Sequence, residues 1–431
     1  DNKIGGDVYF FSDKGIAVGA KGVFNVGSLT LGTSAKAGEE LFEKGFGDYD
    51  KLSGTGKAKY IAGNGEISVK GKINTEGDVI LGTKKNLTLN GASIETHRDL
   101  STVNVESSLS DMRRQVMNLP ERGSADAARA LGNGDIVLYT EDNASLSGGK
   151  IISAGGNVTI SAVSSDAILQ ADPEEKPGDG MISIKNAYID SSSEKRDSGE
   201  IEVSAARNVM GVSRVEVDGT TMDASGKGGH HAGDVAVHAA AATQLYAWDI
   251  GDGAYAQVHM GKDKDVSGRN TITGDNVDVA AYATTTGDIG QSNESKTEAE
   301  LEAKVQNAGE EGTALSLLKD MGGNLRAVVQ ATKIKAGADV DIEKTDMFAM
   351  GGGKDESAPH GNISILSDAR SAIQPMTIGA VGYGVNVGIS DVDSHVHVDN
   401  SSLYAAKDTD ISAVGDNKVS MSLIELNFLD D

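Results

Sequence analysis

The chain has no cysteine among its 431 residues, which excludes disulfides, thiolate zinc sites and cysteine nucleophiles. Aromatic residues make up only 4%, with Trp248 the single tryptophan. A globular enzyme of this length carries more large apolar anchors, so one thick core is disfavoured. Positive charge is also scarce: 39 lysines and arginines face 64 aspartates and glutamates, for a net charge of −25. No basic stripe is available for nucleic acid or for anionic lipid, which argues against both partners. The acidity suits a repetitive β-protein kept from edge-to-edge association by like charge, with cation binding as its other use. No run of 18 apolar residues exists, so no helix is expected to span a membrane.

The absence of cysteine is compatible with export across two bacterial membranes, where a periplasmic disulfide would block passage. The chain starts at Asp1 without a signal peptide and closes in strand-like sequence, Ser420 to Phe428. Both ends read as cut from a longer protein.

What is abundant is glycine, 55 residues, and it recurs in one phrase. A glycine, then an acid or amide, precedes alternating β-branched and polar residues. The copies are Gly6-Asp7-Val8, Gly77-Asp78-Val79, Gly134-Asp135-Ile136, Gly156-Asn157-Val158, Gly199-Glu200-Ile201, Gly233-Asp234-Val235, Ala338-Asp339-Val340 and Gly361-Asn362-Ile363. Glycine supplies a turn, the polar side chain caps it, and a strand with one buried face follows. Such a unit cannot bury that face alone and must stack on copies of itself. Further short strands lie at Ile67–Val69, Leu87–Leu89, Ile182–Ile184, Val277–Val279 and Ile411–Ala413. The phrase returns after about 20 residues in places, the length of one parallel β-helix coil. Roughly 20 coils at most then give a rod on the order of 80–100 Å long. The lack of Asn-Gly hairpins and of a blade-length repeat disfavours a sandwich or a propeller.

The expected fold is all-β, a parallel β-helix with short helical insertions. Residues 1–95 form its most regular part; 96–131 and 291–325 are partly helical insertions; 132–290 and 326–431 form a shaft. Helical spacing of Met112, Val116 and Leu119 ended by Pro120 supports the first insertion. Thr297 with Glu300 as a capping box, and Leu301, Val305 and Ala308 on one face, support the second. Residues 172–180, with two prolines and several acids, read as a loop.

The opening segment carries a resemblance: Val8, Gly15-Ile16, Val18-Gly19, Asn25-Val26-Gly27, Leu29 and Thr33 fall in step with one known pattern. These residues resemble the later part of the two-partner-secretion, or haemagglutination-activity, domain of filamentous-haemagglutinin-like adhesins. Ser12-Asp13-Lys14-Gly15 stands where that family has Asn-Pro-Asn-Gly, and the match covers about 30 residues. The rest of the chain is similar in texture to the shafts of large filamentous adhesins and leukotoxin-type surface proteins. The resemblance implies a right-handed parallel β-helix, secreted to the surface of a two-membrane bacterium by an outer-membrane β-barrel with periplasmic docking domains. It further implies a non-enzymatic structural and adhesive role, with attachment to host cells or other bacteria.

Catalysis is the alternative, because polysaccharide lyases and glycosidases also use β-helices. They need carboxylates clustered on adjacent coils. Asp249 with Asp252, and Asp391 with Asp393, are the candidates, while Gly228 to Asp234 has a partial Gly-His-Gly turn without its usual companions. His395 and His397 alternate with Val396 and Val398 and so share a strand face, where a metal could join Asp391 or Asp393. That pair, like His230, His231 and His238, reads more simply as polar outer surface. Gly132-Asn133-Gly134-Asp135-Ile136 matches one fragment of a calcium nonapeptide, but no tandem series exists. No residue is therefore assigned a catalytic, cofactor-binding or metal-ligating role, and no cofactor is expected. Receptor contacts are expected on the insertions, since the strands are committed to stacking.

Overall fold

The computed structural model describes residues 6–97, 133–164, 179–246, 253–288, 328–374 and 384–419. Their strands form three parallel sheets, visited in the same order on every turn of the chain. The first sheet contains Asp7–Phe11, Ser28–Gly32, Val79–Thr83, Ile136–Thr140, Val158–Ser164, Ile201–Arg207, Val235–Tyr246, Val277–Asp288, Ile363–Gln374 and Thr409–Val419. The second runs from Ile16–Val18 to Gly384–Asp399, and the third from Val23–Val26 to Ser402–Ala405. The described residues form a parallel β-helix of nine three-strand coils, with a tenth strand of the first sheet opening another.

Every coil places a branched residue inward over the one before. Leu29, Val79, Ile136, Val158, Ile201, Val235, Val277 and Ile363 make one such column in the first sheet. Ile73, Ile94, Ile151, Ile189, Met222, Ile272 and Met347 make another in the third. All are buried in one continuous core. Each apolar face is thus covered by its own repeat, as the glycine phrase required.

The three corners differ. From second to third sheet the turn is mostly two residues or fewer, and one residue takes a left-handed conformation: Gly91, Gly148, Asn186, Gly219, Lys344 and Asn400. Glycine or asparagine holds five of these six places, because a Cβ makes that region costly. One longer segment, residues 261–269, leaves the coil at this corner, and the longest segments leave at the other two.

Three expectations are corrected. The copy of the phrase at Ala338-Asp339-Val340 lies inside Val328–Glu343 of the second sheet and is not a corner of the first. The coils number about half those expected, because their lengths vary from 21 residues between Val8 and Leu29 to 86 between Val277 and Ile363. Nine steps of about 4.8 Å give a ladder about 43 Å long, not 80–100 Å. The opening 95 residues are not the most regular part. Three helices, α1 (Ala35–Lys44), α2 (Gly47–Asp50) and α3 (Gly54–Tyr60), interrupt the second coil.

Ser34 and Ser53 cap α1 and α3, each accepting from a backbone N–H three residues on. Asp13, in the turn where the resemblance departs, accepts from Ala35 N at the start of α1. The helices bury Leu41, Tyr49, Ala58 and Ile61 against Ile80, Val137 and Tyr139, the outward residues of the first sheet. From residue 235 on, most strands of the first and second sheets lengthen to 11–16 residues, and alanines replace larger residues on their inner face. There the first and second sheets approach each other directly, with the Thr285 hydroxyl donating to Lys335 O and Ser367 Oγ to Ala338 O. The expected helical insertions lie outside the described residues, except that Thr96 of the first closes a strand.

Candidate binding groove on the third sheet

The acids of the glycine phrase hold the backbone. Asp78 Oδ1 accepts from Gly134 N and Asp135 N, each at 2.9 Å. Asp135 Oδ1 accepts from Asn157 N, and Asn157 Oδ1 from Glu200 N. Asp234 Oδ1 takes Asn276 N, Asn276 Oδ1 takes Asn362 N, and Asn362 Oδ1 takes Asp408 N. Each side chain thereby satisfies the amide of the next coil. The calcium-like fragment around Asp135 belongs to this ladder.

Among the other candidates, Asp249 and Asp252 lie outside the described residues. Asp391, Asp393, His395 and His397 all point outward from one strand and are exposed, with the two imidazoles stacked 6.4 Å apart. The structure groups His397 with Asp341 and Glu343 of the adjacent strand, and not with Asp391 or Asp393. An ammonium already fills that cluster: Lys262 Nζ lies 2.7 Å from Asp341 Oδ2 and 2.6 Å from Glu343 Oε1. His238 pairs with Asp278 at 2.9 Å on the first sheet. His259, which the sequence reading passed over, pairs with Asp339 at 3.1 Å and holds that carboxyl below its usual range.

A cleft with convergent chemistry sits on the outer face of the third sheet. Parallel register places Asp190, Asp223, Thr273, Phe348 and Tyr404 side by side on five successive coils. The residues between them, Met222, Ile272 and Met347, are buried, so this row faces out. Lys227 Nζ lies 3.1 Å from Asp223 Oδ2 and 4.0 Å from Asp190 Oδ2, and donates to Ser192 Oγ. Tyr188 Oη donates to Asp190 Oδ2 at 2.8 Å. Burial works against the Asp223 charge, yet hydrogen bonds from Ser225 and Lys227 win and hold its carboxyl below the ordinary value. These are carboxylates on adjacent coils, the arrangement a glycosidase needs. A general acid must keep its proton near neutrality, and Asp223 is tuned the opposite way.

Further along the row, Phe348 and Tyr404 stack with ring centroids 5.0 Å apart and planes at 3°. Next to Phe348, a cleft of about 410 Å³ opens over Thr273. Its walls are the segments after the sixth and eighth coils, which supply Ser225, Gly226, His230 and Ala232 on one side and Met350, Gly351 and Gly352 on the other. Those walls are tied together: Gly352 O accepts from Ala232 N, and His231 Nδ1 lies 3.1 Å from the same oxygen. Asp197 binds both sides, through His231 N at 3.2 Å and Lys354 Nζ at 3.5 Å. His230 and His231 were singled out in the sequence for a turn motif; the structure gives them a place in this wall. Phe348 and Tyr404 were missed, and one signal pointed to them: outward aromatics in a chain with few.

Comparison with protein-family models, with curated proteins and with solved structures finds no match to this chain. Fold and site define the class only, a parallel β-helix with a surface cleft between its inter-coil loops.

Proposed function

We propose that the chain is a structural and adhesive segment of a large surface-displayed or secreted bacterial protein, exported in the two-partner manner. The observation that carries this reading is the use to which the outward acids are put. The corner carboxylates hold coil amides, and Asp223, Asp278, Asp339, Asp341 and Glu343 on the faces are paired with Lys227, Lys262 or histidine. Most of the loop surface the coils leave for partners lies at two of the three corners. The opening motif residues support the same reading, since Val8, Ile16, Val18, Val26 and Leu29 lie in strands of the first coil and the start of the second. Partners on this reading are an outer-membrane β-barrel transporter for the full-length protein and a host or bacterial surface receptor.

Beads coated with the protein are expected to attach to epithelial or bacterial cells above the level of beads coated with an unrelated acidic protein. Attachment no better than that control rejects the adhesive role. The second reading, a β-helical polysaccharide lyase or glycosidase, has the adjacent Asp190 and Asp223 in its favour. Sustained product release from pectin, alginate or chondroitin would establish it in place of the first.

A further inference from the structure

We propose that the cleft over Thr273 and Phe348 binds a neutral oligosaccharide, with Phe348 as the stacking platform and the Asp223–Lys227 pair contacting hydroxyls. This deepens the adhesive reading and rests on it for its biological use, while the binding itself can be measured alone.

A pyranose has an apolar C–H face and a rim of hydroxyls, so its site needs a flat ring beside fixed donors and acceptors. Tyr404 covers one face of Phe348, and the cleft lies against that same side chain on the Thr273 side. One coil beyond Thr273, Asp223 offers acceptor oxygens and Lys227 a donor, both oriented by each other and by Ser192 and Ser225. Three strand spacings, about 14 Å, separate Asp223 from Tyr404, enough for two or three linked sugars along the rod. The cleft volume is within the range of small-molecule sites.

Charge selects the neutral class. The chain carries −25 overall, and carboxylates outnumber cations along the groove, so sulfated or carboxylated glycans are repelled. A peptide strand is disfavoured too, because the third-sheet strands under the cleft pair on both sides and offer no free backbone edge. The groove is built before any ligand arrives, since Gly352 O, Ala232 and Asp197 hold the two walls together.

The test is calorimetric titration of the whole chain with chitotriose, mannotriose and lactose, and with a sulfated chondroitin disaccharide as the acidic comparator. At least one neutral probe is expected to bind, the acidic one at least tenfold more weakly. Phe348→Ala is expected to cut affinity at least tenfold with an unchanged far-ultraviolet circular dichroism spectrum. Should that variant misfold, Thr273→Trp, on the outer face, blocks the cleft without touching the core and is expected to do the same. No heat from any neutral probe at about 10 mM overturns the proposal, as does equal binding by folded Phe348→Ala and Thr273→Trp. Attachment to cells separates the two readings. Attachment to cells that persists in both variants after their saccharide binding is lost spares the adhesin and takes the groove out of its adhesive contact, whereas saccharide binding without any attachment sinks the adhesin and spares the groove.

Discussion

At the scale of single residues, the acid after each glycine determines how coils are joined. An oxygen acceptor is what the next coil's amide needs; a charge is not, and three rungs of the ladder are asparagine: Asn157, Asn276 and Asn362. Asp78 has the charge, and it is followed by another acid, Asp135. Burial, and then that neighbouring carboxylate, push the Asp78 carboxyl above its usual range despite two backbone hydrogen bonds. A raised carboxyl stabilises the fold relative to its ionised form at low pH, and that advantage is lost as pH rises from the ordinary value through the raised one. Asp78→Asn keeps the acceptor and removes the charge. It is expected to raise the urea midpoint at pH 7, with the gain over wild type shrinking as pH falls toward 4. A lower midpoint at pH 7 would show that the charge itself is needed. Most of this rung chemistry was legible in the sequence, because glycine and a short polar side chain before a branched run have few other uses. The copy at Asp339 misled because spacing alone cannot tell one sheet of a coil from another.

Elements show where the sequence pattern was read too simply. Strict alternation was expected after every glycine phrase, yet Val79-Ile80-Leu81 and Ile136-Val137-Leu138-Tyr139 are continuous apolar runs, buried on both faces. A strand apolar on both faces requires a cover, and α1–α3 are that cover. Their own signal was weak because five glycines between residues 38 and 56 dilute the helical pattern. Gly82 shows how close the cover sits: a Cβ there would lie 2.1 Å from Ala58 O in α3. Gly82→Ala is expected to cost about 2–3 kcal/mol by overpacking, read from urea unfolding; a change below 0.5 kcal/mol would mean the helices are not held against the sheet. The cleft wall carries a second device. His360 Nδ1 lies 2.5 Å from Asp275 Oδ2 and its Nε2 2.5 Å from Asp355 O, so both ring nitrogens face acceptors. These contacts raise the imidazole above its ordinary value, with the Lys407 charge opposing. Its contribution is complete below the ordinary histidine range and is lost as pH rises through the raised value. Amides of residues 351–361 are expected to exchange faster at pH 8.5 than at pH 5.5, after correction for intrinsic rates, and His360→Gln is expected to erase the difference. A pH response that survives the substitution assigns it elsewhere.

For the whole molecule, the sequence conveyed the architecture but not its extent. Coil number was overestimated because counting glycine phrases assumes a constant repeat, whereas long excursions lie between coils at two corners. The physical consequence of the architecture is near one-dimensional stability, in which a coil is supported chiefly by the coils directly above and below it. The side-chain bonds between coils follow this rule with a short reach: Lys185 spans two coils to Asp263, and Arg269 spans two to Asn400. A chain ended after Gly361 loses the ninth coil and the tenth strand. It also loses Asn400 from Arg269, Asn362 from Asn276, and the 16-residue partner of Val328–Glu343. Hydrogen exchange is therefore expected to rise in the seventh and eighth coils, which carry these contacts and the long alanine-lined strands. Strands Val79–Thr83 to Ile201–Arg207 are expected to keep full protection, since none of their direct partners is removed. Loss of protection in the third to fifth coils would show that the solenoid folds as one cooperative block. The groove would then depend on distant coils as well as on its own walls.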